Sequence, residues 1–83
     1  MTEAVATPEG ILLEYVAKQL VDDPAGVVVT ETTDGDFLKL HLAVTEADVG
    51  KVIGRGGRIA KALRALLKVM ATRDGSKVSL DID

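Results

Sequence analysis

The apolar residues of this 83-residue chain change period along its length, and each change marks an element. Behind Thr7-Pro8-Glu9, the residues Leu12, Leu13, Val16 and Leu20 recur at helical spacing. Thr7 suits an N-cap, Pro8 the first turn and Glu9 the positive end of the helix dipole, and Asp23-Pro24 closes the segment. Ile11 and Tyr15 fall off this stripe, one turn apart, and are expected as peripheral core contacts, with a partner surface as the second reading. Gly26 to Thr33 is rich in β-branched residues, and Phe37 to Val44 alternates, with Leu38, Leu40, Leu42 and Val44 inward and Lys39 and His41 outward. Asp34-Gly35 between them is a hairpin signal. Thr45-Glu46-Ala47-Asp48 reads as a capping box opening a short helix with Val49, Val52 and Ile53 on one face. A longer helical stripe follows, Ile59, Leu63, Leu66, Leu67 and Met70, and runs to about Arg73, where Asp74-Gly75 stops it. Val78, Leu80 and Ile82 alternate as a last strand. The order is α-β-β-α-α-β, an α+β domain over residues 7–83 behind a flexible tail at 1–6. A crossover through two helices favours a parallel pairing of the last strand with a hairpin strand.

Between the short helix and the long one lies Gly54-Arg55-Gly56-Gly57-Arg58. Glycines at 54 and 57 let the backbone turn through φ > 0 and bring a ligand close to the main chain. The helix that follows points free N–H groups and its positive dipole end at the turn, and two arginines make the expected visitor anionic.

Charge sharpens this picture. The net charge is −3, too acidic for a general nucleic-acid coat protein. Its distribution is uneven. Met1 to Gly50 holds two bases against ten acids, Lys51 to Arg73 holds seven bases and no acid, and Lys77 faces three acids in the last ten residues. An acidic remainder steers phosphate towards the one basic segment. Arg55, Arg58 and Lys51 flank the glycines and are expected on phosphates. Lys61, Arg64 and Lys68 lie opposite the apolar stripe of the long helix, and Lys68 is expected as a solvated face residue.

Val52-Ile53-Gly54-Arg55-Gly56-Gly57-Arg58-Ile59 resembles the signature of the KH domain, an Ile-Gly-x-x-Gly-x-x-Ile core around a GXXG loop that clamps four nucleotides. Asp48 through Arg64 is similar to the small bacterial single-domain KH proteins of the KhpA family, and the element order matches that group from about Thr7 to Asp83. The resemblance implies a type II KH fold, three helices on one face of a three-stranded sheet. It implies a non-catalytic, cytoplasmic module for single-stranded RNA, an RNA chaperone or post-transcriptional regulator. It also implies self-association as a homodimer and pairing with a larger KH-containing partner, KhpB. The expected contacts are Lys51, Ile53, Gly54, Arg55, Gly56, Gly57, Arg58, Ile59 and Lys61. Backbone N–H groups of Gly54 to Gly57 would hold phosphates. The bases would lie on an apolar floor between the two helices and the second strand, with Val49, Val52, Ile53 and Ile59 in it. Gly56 departs from the commoner polar or basic residue at that loop position, which makes the loop more flexible and removes a donor.

A site of this size makes three or four phosphate contacts, so log K should fall with log salt at a slope of about −2 to −3. With one Phe and one Tyr, stacking platforms of the RRM or OB type are not on offer. A dinucleotide fingerprint would need a third glycine where Ile59 stands, and no Walker sequence occurs. His41, alone on an outer strand face, reads as a solvated sheet residue. No spacing suggests a metal site, no cofactor is expected, and the absence of cysteine excludes disulfides and thiolate zinc. The rival reading is a KH-shaped scaffold working through dimerisation, with Ile59 on a dimer surface in place of a base groove.

Overall fold

The computed structural model describes residues 5–83. The chain forms helix α1 (Pro8–Leu20), strands β1 (Val28–Asp34) and β2 (Phe37–Ala43), short helix α2 (Val49–Ile53), helix α3 (Arg58–Arg73) and strand β3 (Lys77–Ile82). Three single 3-10 turns, Pro24–Gly26, Glu46–Asp48 and Arg55–Gly57, join them. The sheet order is β1-β2-β3. β1 and β2 pair antiparallel through the Asp34↔Phe37 turn, and β2 and β3 pair parallel from Phe37↔Lys77 to Leu42↔Ile82. This is the α+β arrangement expected of a type II KH domain. The expected tail lies outside the described residues at 1–4. At the two that are described, Val5 packs against the core and the Ala6 N–H donates to Glu31 Oε1 at 3.0 Å.

One face of the sheet carries the core. Leu38, Leu40 and Leu42 of β2, Val29 of β1 and Leu80 of β3 pack under Leu13 and Ala17 of α1, Val52 of α2, and Leu63 and Leu67 of α3, all buried. The other face keeps Thr30, Thr32 and Lys39 in solvent, the two-sided character usual for a sheet covered on one side. His41 lies on that outer face, its Nε2 3.1 Å from an Asp83 carboxylate oxygen.

Local chemistry explains the ends of α1. The Thr7 side chain accepts the Gly10 N–H at 3.0 Å, the cap expected from the sequence. Glu31 reaches from β1 to the same end and accepts the N–H groups of Ala6 and Thr7 and the Thr7 hydroxyl. Burial pushes this carboxyl up, but those donors outweigh it and hold it below the usual glutamate range. Ile11 and Tyr15 are 54% and 64% exposed, so they are surface residues and not peripheral core.

Two expectations shift in register. α3 buries Ala60, Leu63, Leu67 and Ala71, and Leu66 of the expected stripe is 45% exposed. The two alanines face inward, where small side chains let the helix lie close to its neighbours, and Leu66 turns outward. The capping box before α2 does not form. Asp48 N–H donates to the Thr45 carbonyl at 2.8 Å in a 3-10 turn, and the Asp48 carboxylate accepts the Thr45 hydroxyl and the Asp23 N–H.

Candidate nucleic-acid interface

Gly54 to Gly57 form the tightest bend in the chain. Gly54, Gly56 and Gly57 all have positive φ, at 77°, 65° and 76°. Gly54 is fixed by contact as well as by angle. A Cβ there would stand 2.7 Å from Ile59 Cγ1 and 3.0 Å from the Ile59 N, so no side chain fits beneath the first turn of α3. Ile59, half-buried, is thus the wedge that holds the loop against the helix, and it packs on the core from the edge.

The backbone donors are fewer than expected. Gly54 N–H already donates to the Gly50 carbonyl at 2.9 Å, and Gly57 N–H to the Gly54 carbonyl at 3.1 Å. The N–H groups of Arg55 and Gly56 lie between these two anchored positions, in the Arg55–Gly57 turn. They stand at the apex of the bend, next to the N-terminal end of the 16-residue α3 and its positive dipole end.

The cations divide into two kinds. Arg55, Arg58 and Lys61 are exposed and take part in no ion pair among the described residues. Lys51 does. Its Nζ lies 3.2 Å from Asp22 and 3.3 Å from Asp48, and those carboxylates hold the ammonium above its ordinary value. Lys51 thus already has two carboxylate partners within the protein, unlike Arg55, Arg58 and Lys61. The expected floor changes too. Val52 is fully buried beneath α2 and cannot face a ligand, whereas Val49 and Ile53 are half-buried.

The second strand is also not the wall of a groove, because β2 is central and its inner face is covered. The groove lies between α3 and β3. A cleft of about 270 Å³ is lined by Arg64, Leu67, Lys68, Val78, Ser79 and Leu80. A further stretch shares Lys68 and Val78 and continues to Thr72 and Lys77. Lys61, Arg64 and Lys68 recur at helical spacing and so share one flank of α3. Lys68, expected as a solvated face residue, is therefore a wall of the cleft.

β3 supplies polar groups along its outer side. Lys77 N–H donates to the Asp36 carbonyl and Asp83 N–H to the Leu42 carbonyl, so odd-numbered residues turn their peptide groups to β2. Val78, Leu80 and Ile82 turn theirs to the open edge. Arg64 Nε donates to the Leu80 carbonyl there at 3.3 Å, bridging cleft wall and strand. No signal in the sequence separates this edge from the others. It emerges from the strand order.

A positive-φ glycine bend at the start of a helix, a basic helix flank and an apolar cleft beside a strand edge make one arrangement. A profile of the family described as KhpA/KhpB, KH domain matches residues 11–82. The chain belongs to the KhpA/KhpB family of KH domains. Among similar proteins, the RNA-binding protein KhpA of Halalkalibacterium halodurans is 48% identical over 71 residues, covering 86% of this chain and 93% of that protein. RNA-binding protein KhpA of Clostridium acetobutylicum is 46% identical over 71 residues, 86% of this chain and 95% of that protein. RNA-binding protein KhpA of Treponema pallidum is 44% identical over 78 residues, 94% and 98% of the two chains. No helix among the described residues is long and apolar enough to cross a membrane.

Proposed function

We propose that this KhpA/KhpB-family domain binds single-stranded RNA, with phosphates at the Gly54–Gly57 bend and bases in the cleft between α3 and β3. The observation that carries this reading is the set of cations around the bend. Arg55, Arg58 and Lys61 have no acidic partner among the described residues, and they surround the positive-φ glycine bend at the start of α3. Charged donors left unpaired around a glycine bend suit a chain of phosphates. Val78, half-buried, gives the bases an apolar surface over the buried Leu67 and Leu80, and the peptide groups of Val78, Leu80 and Ile82 face the open edge with donors and acceptors. That three similar proteins carry the name RNA-binding protein supports the same conclusion. It is binding without catalysis, in the cytoplasm, as an RNA chaperone or post-transcriptional regulator.

The test replaces Arg55 and Gly56 with Asp and keeps the outer glycines. The expected result is an unchanged circular dichroism spectrum and loss of single-stranded RNA in an anisotropy titration. Unchanged affinity would remove RNA from the function.

Self-association belongs to the same proposal. A site for about four nucleotides binds weakly, and pairing with a second copy or with a KhpB-like protein raises affinity through effective concentration. Leu66 and Val69 of α3 are 45% and 61% exposed, which favours a helical face for that contact. Size-exclusion mass with and without RNA reports it. A larger mass that Leu66→Glu abolishes is the expected result, and a monomer at all concentrations would oppose it.

A further inference from the structure

Asp48 is 2% exposed, and the RNA-binding reading gives it no part. Its Oδ2 accepts the Asp23 N–H and the Thr45 hydroxyl, each at 3.0 Å, and its Oδ1 faces Lys51 Nζ at 3.3 Å. Lys51 in turn reaches Asp22 at 3.2 Å. Burial alone would push the Asp48 carboxyl up, but the N–H groups of Asp23 and Asp22, the Thr45 hydroxyl and Lys51 outweigh it and hold it ionised. Nearby, a Cβ on Gly26 would stand 2.6 Å from Thr45 Cγ2, so the α1–β1 connection and the β2–α2 connection are in close contact.

What this joins matters because α2 has only five residues and cannot hold its own orientation. Gly54 N–H is anchored on the Gly50 carbonyl, so the pitch of α2 sets where the glycine bend begins. We propose that Asp48 and Lys51 form a strut that fixes α2, and through it the Gly54–Gly57 bend, against the loop after α1. Asp48 and Lys51 are positioning residues, and neither touches the ligand. The proposal rests on the RNA-binding reading for its functional consequence, but the strut itself has a separate readout.

Salt dependence separates a strut from a phosphate ligand. A side chain that neutralises a phosphate contributes about 0.7 to the slope of log K against log salt on a single strand, and a positioning residue contributes nothing. Single-stranded RNA is titrated by anisotropy at several salt concentrations against wild type, Arg58→Ala and Lys51→Met, with Asp48→Asn as the second strut variant. In parallel, ¹⁵N–¹H spectra follow the amides of Gly54, Arg55, Gly56 and Gly57. Lys51 is at the surface end of the strut, so its variant folds, which melting confirms. The expected result for Lys51→Met and Asp48→Asn is a severalfold weaker affinity at an unchanged slope, with displaced amide signals for the bend. Arg58→Ala is expected to lower the slope. A lower slope for Lys51→Met would make it a phosphate ligand and overturn the proposal, as would unmoved amides and unchanged affinity. If wild type binds no RNA, the functional reading fails, and displaced amides in the two variants still report the strut.

Discussion

At its C-terminal end α3 turns through Gly75, beside the hairpin turn at Gly35, and at its N-terminal end it begins from Gly54, Gly56 and Gly57. All five glycines have positive φ. The Lys77 N–H on the Asp36 carbonyl ties the first two turns together, and the 16 residues of α3 set them about 24 Å from the loop. At the hairpin end the turns carry charges of both signs, Asp34, Asp36 and Asp74 with Arg73 and Lys77, though none of these forms an ion pair among the described residues. At the loop end Arg55, Arg58 and Lys61 stand together with no acidic partner among the described residues. The same backbone conformation therefore serves two purposes. On the proposed reading, glycine geometry alone does not make an anion site, and Arg55, Arg58 and Lys61 around it would.

The largest effect comes from exchanging the two surroundings. Asp at positions 55 and 56 should abolish RNA binding, a loss of at least about a hundredfold, since two phosphate contacts become two repulsions. Arg at positions 34 and 36 should give the hairpin end no comparable affinity, because the cleft beside it keeps Glu9 and Asp74 in its lining and has no basic helix flank. Anisotropy at matched salt measures both. A hairpin variant that binds RNA as tightly as wild type would reduce the comparison to net charge.

Stability separates the glycines next. Gly54→Ala meets Ile59 at 2.7 Å in a conformation at φ 77°, ψ 169° that is nearly glycine-only, and should cost about 2–3 kcal/mol. Gly35→Ala meets nothing within 4 Å and should cost about 1 kcal/mol from its φ alone. Thermal melts should place the first about 8–24 °C below wild type, taking about 4–8 °C per kcal/mol for a domain of this size. Equal melting points would mean that Ile59 yields and is no wedge. A smaller effect tests the cleft. Lys68→Ala should weaken RNA about fourfold at physiological salt, because one phosphate then goes without its cation. Lys77, in the further stretch at the far end of the cleft, should matter less.

Much of the molecule is legible in its residues alone. Element order, the hairpin, the Thr7 cap, the parallel β3 and the cation-flanked bend follow from local signals, because period, turn chemistry and charge are written in adjacent residues. The features that differ from expectation depend on contacts between distant segments. Lys51 looks like its neighbours Arg55 and Arg58 until Asp22, 29 positions away, is folded onto it. The pattern Thr45-x-x-Asp48 satisfies a capping box, yet Asp48 finds a better donor in Asp23. Val52 and Leu66 both sit on apolar faces, and only the packing of α2 and α3 decides that one is fully buried and the other turned out. The cleft runs along β3 and not β2, and a sequence does not say which strand lies at the edge.

Each end of the molecule also has a carboxylate latch, and acid should release both. Glu31 holds Ala6 and Thr7 at the start of α1, and Asp48 holds Asp23, Thr45 and Lys51 beside α2. Both carboxyls titrate below their ordinary values in the folded chain. The unfolded chain therefore takes up their protons first as pH falls, so stability is full above about pH 5, declines through about pH 4 and is lost below the folded values. Melting temperature from pH 7 to pH 3 should be flat and then fall. Glu31→Gln should lower the plateau and flatten the fall, since a neutral amide has no proton to gain. Glu31 is partly exposed and solvent screens its share, so its effect should be the smaller of the two, with Asp48→Asn flattening the curve more. Because the two latches sit at opposite ends, amide signals of Gly54 to Gly57 should shift on acidification in the Glu31 variant and lose that shift in the Asp48 variant. If the bend responds to acid equally in both, the ends are coupled through the core and the comparison between them does not hold.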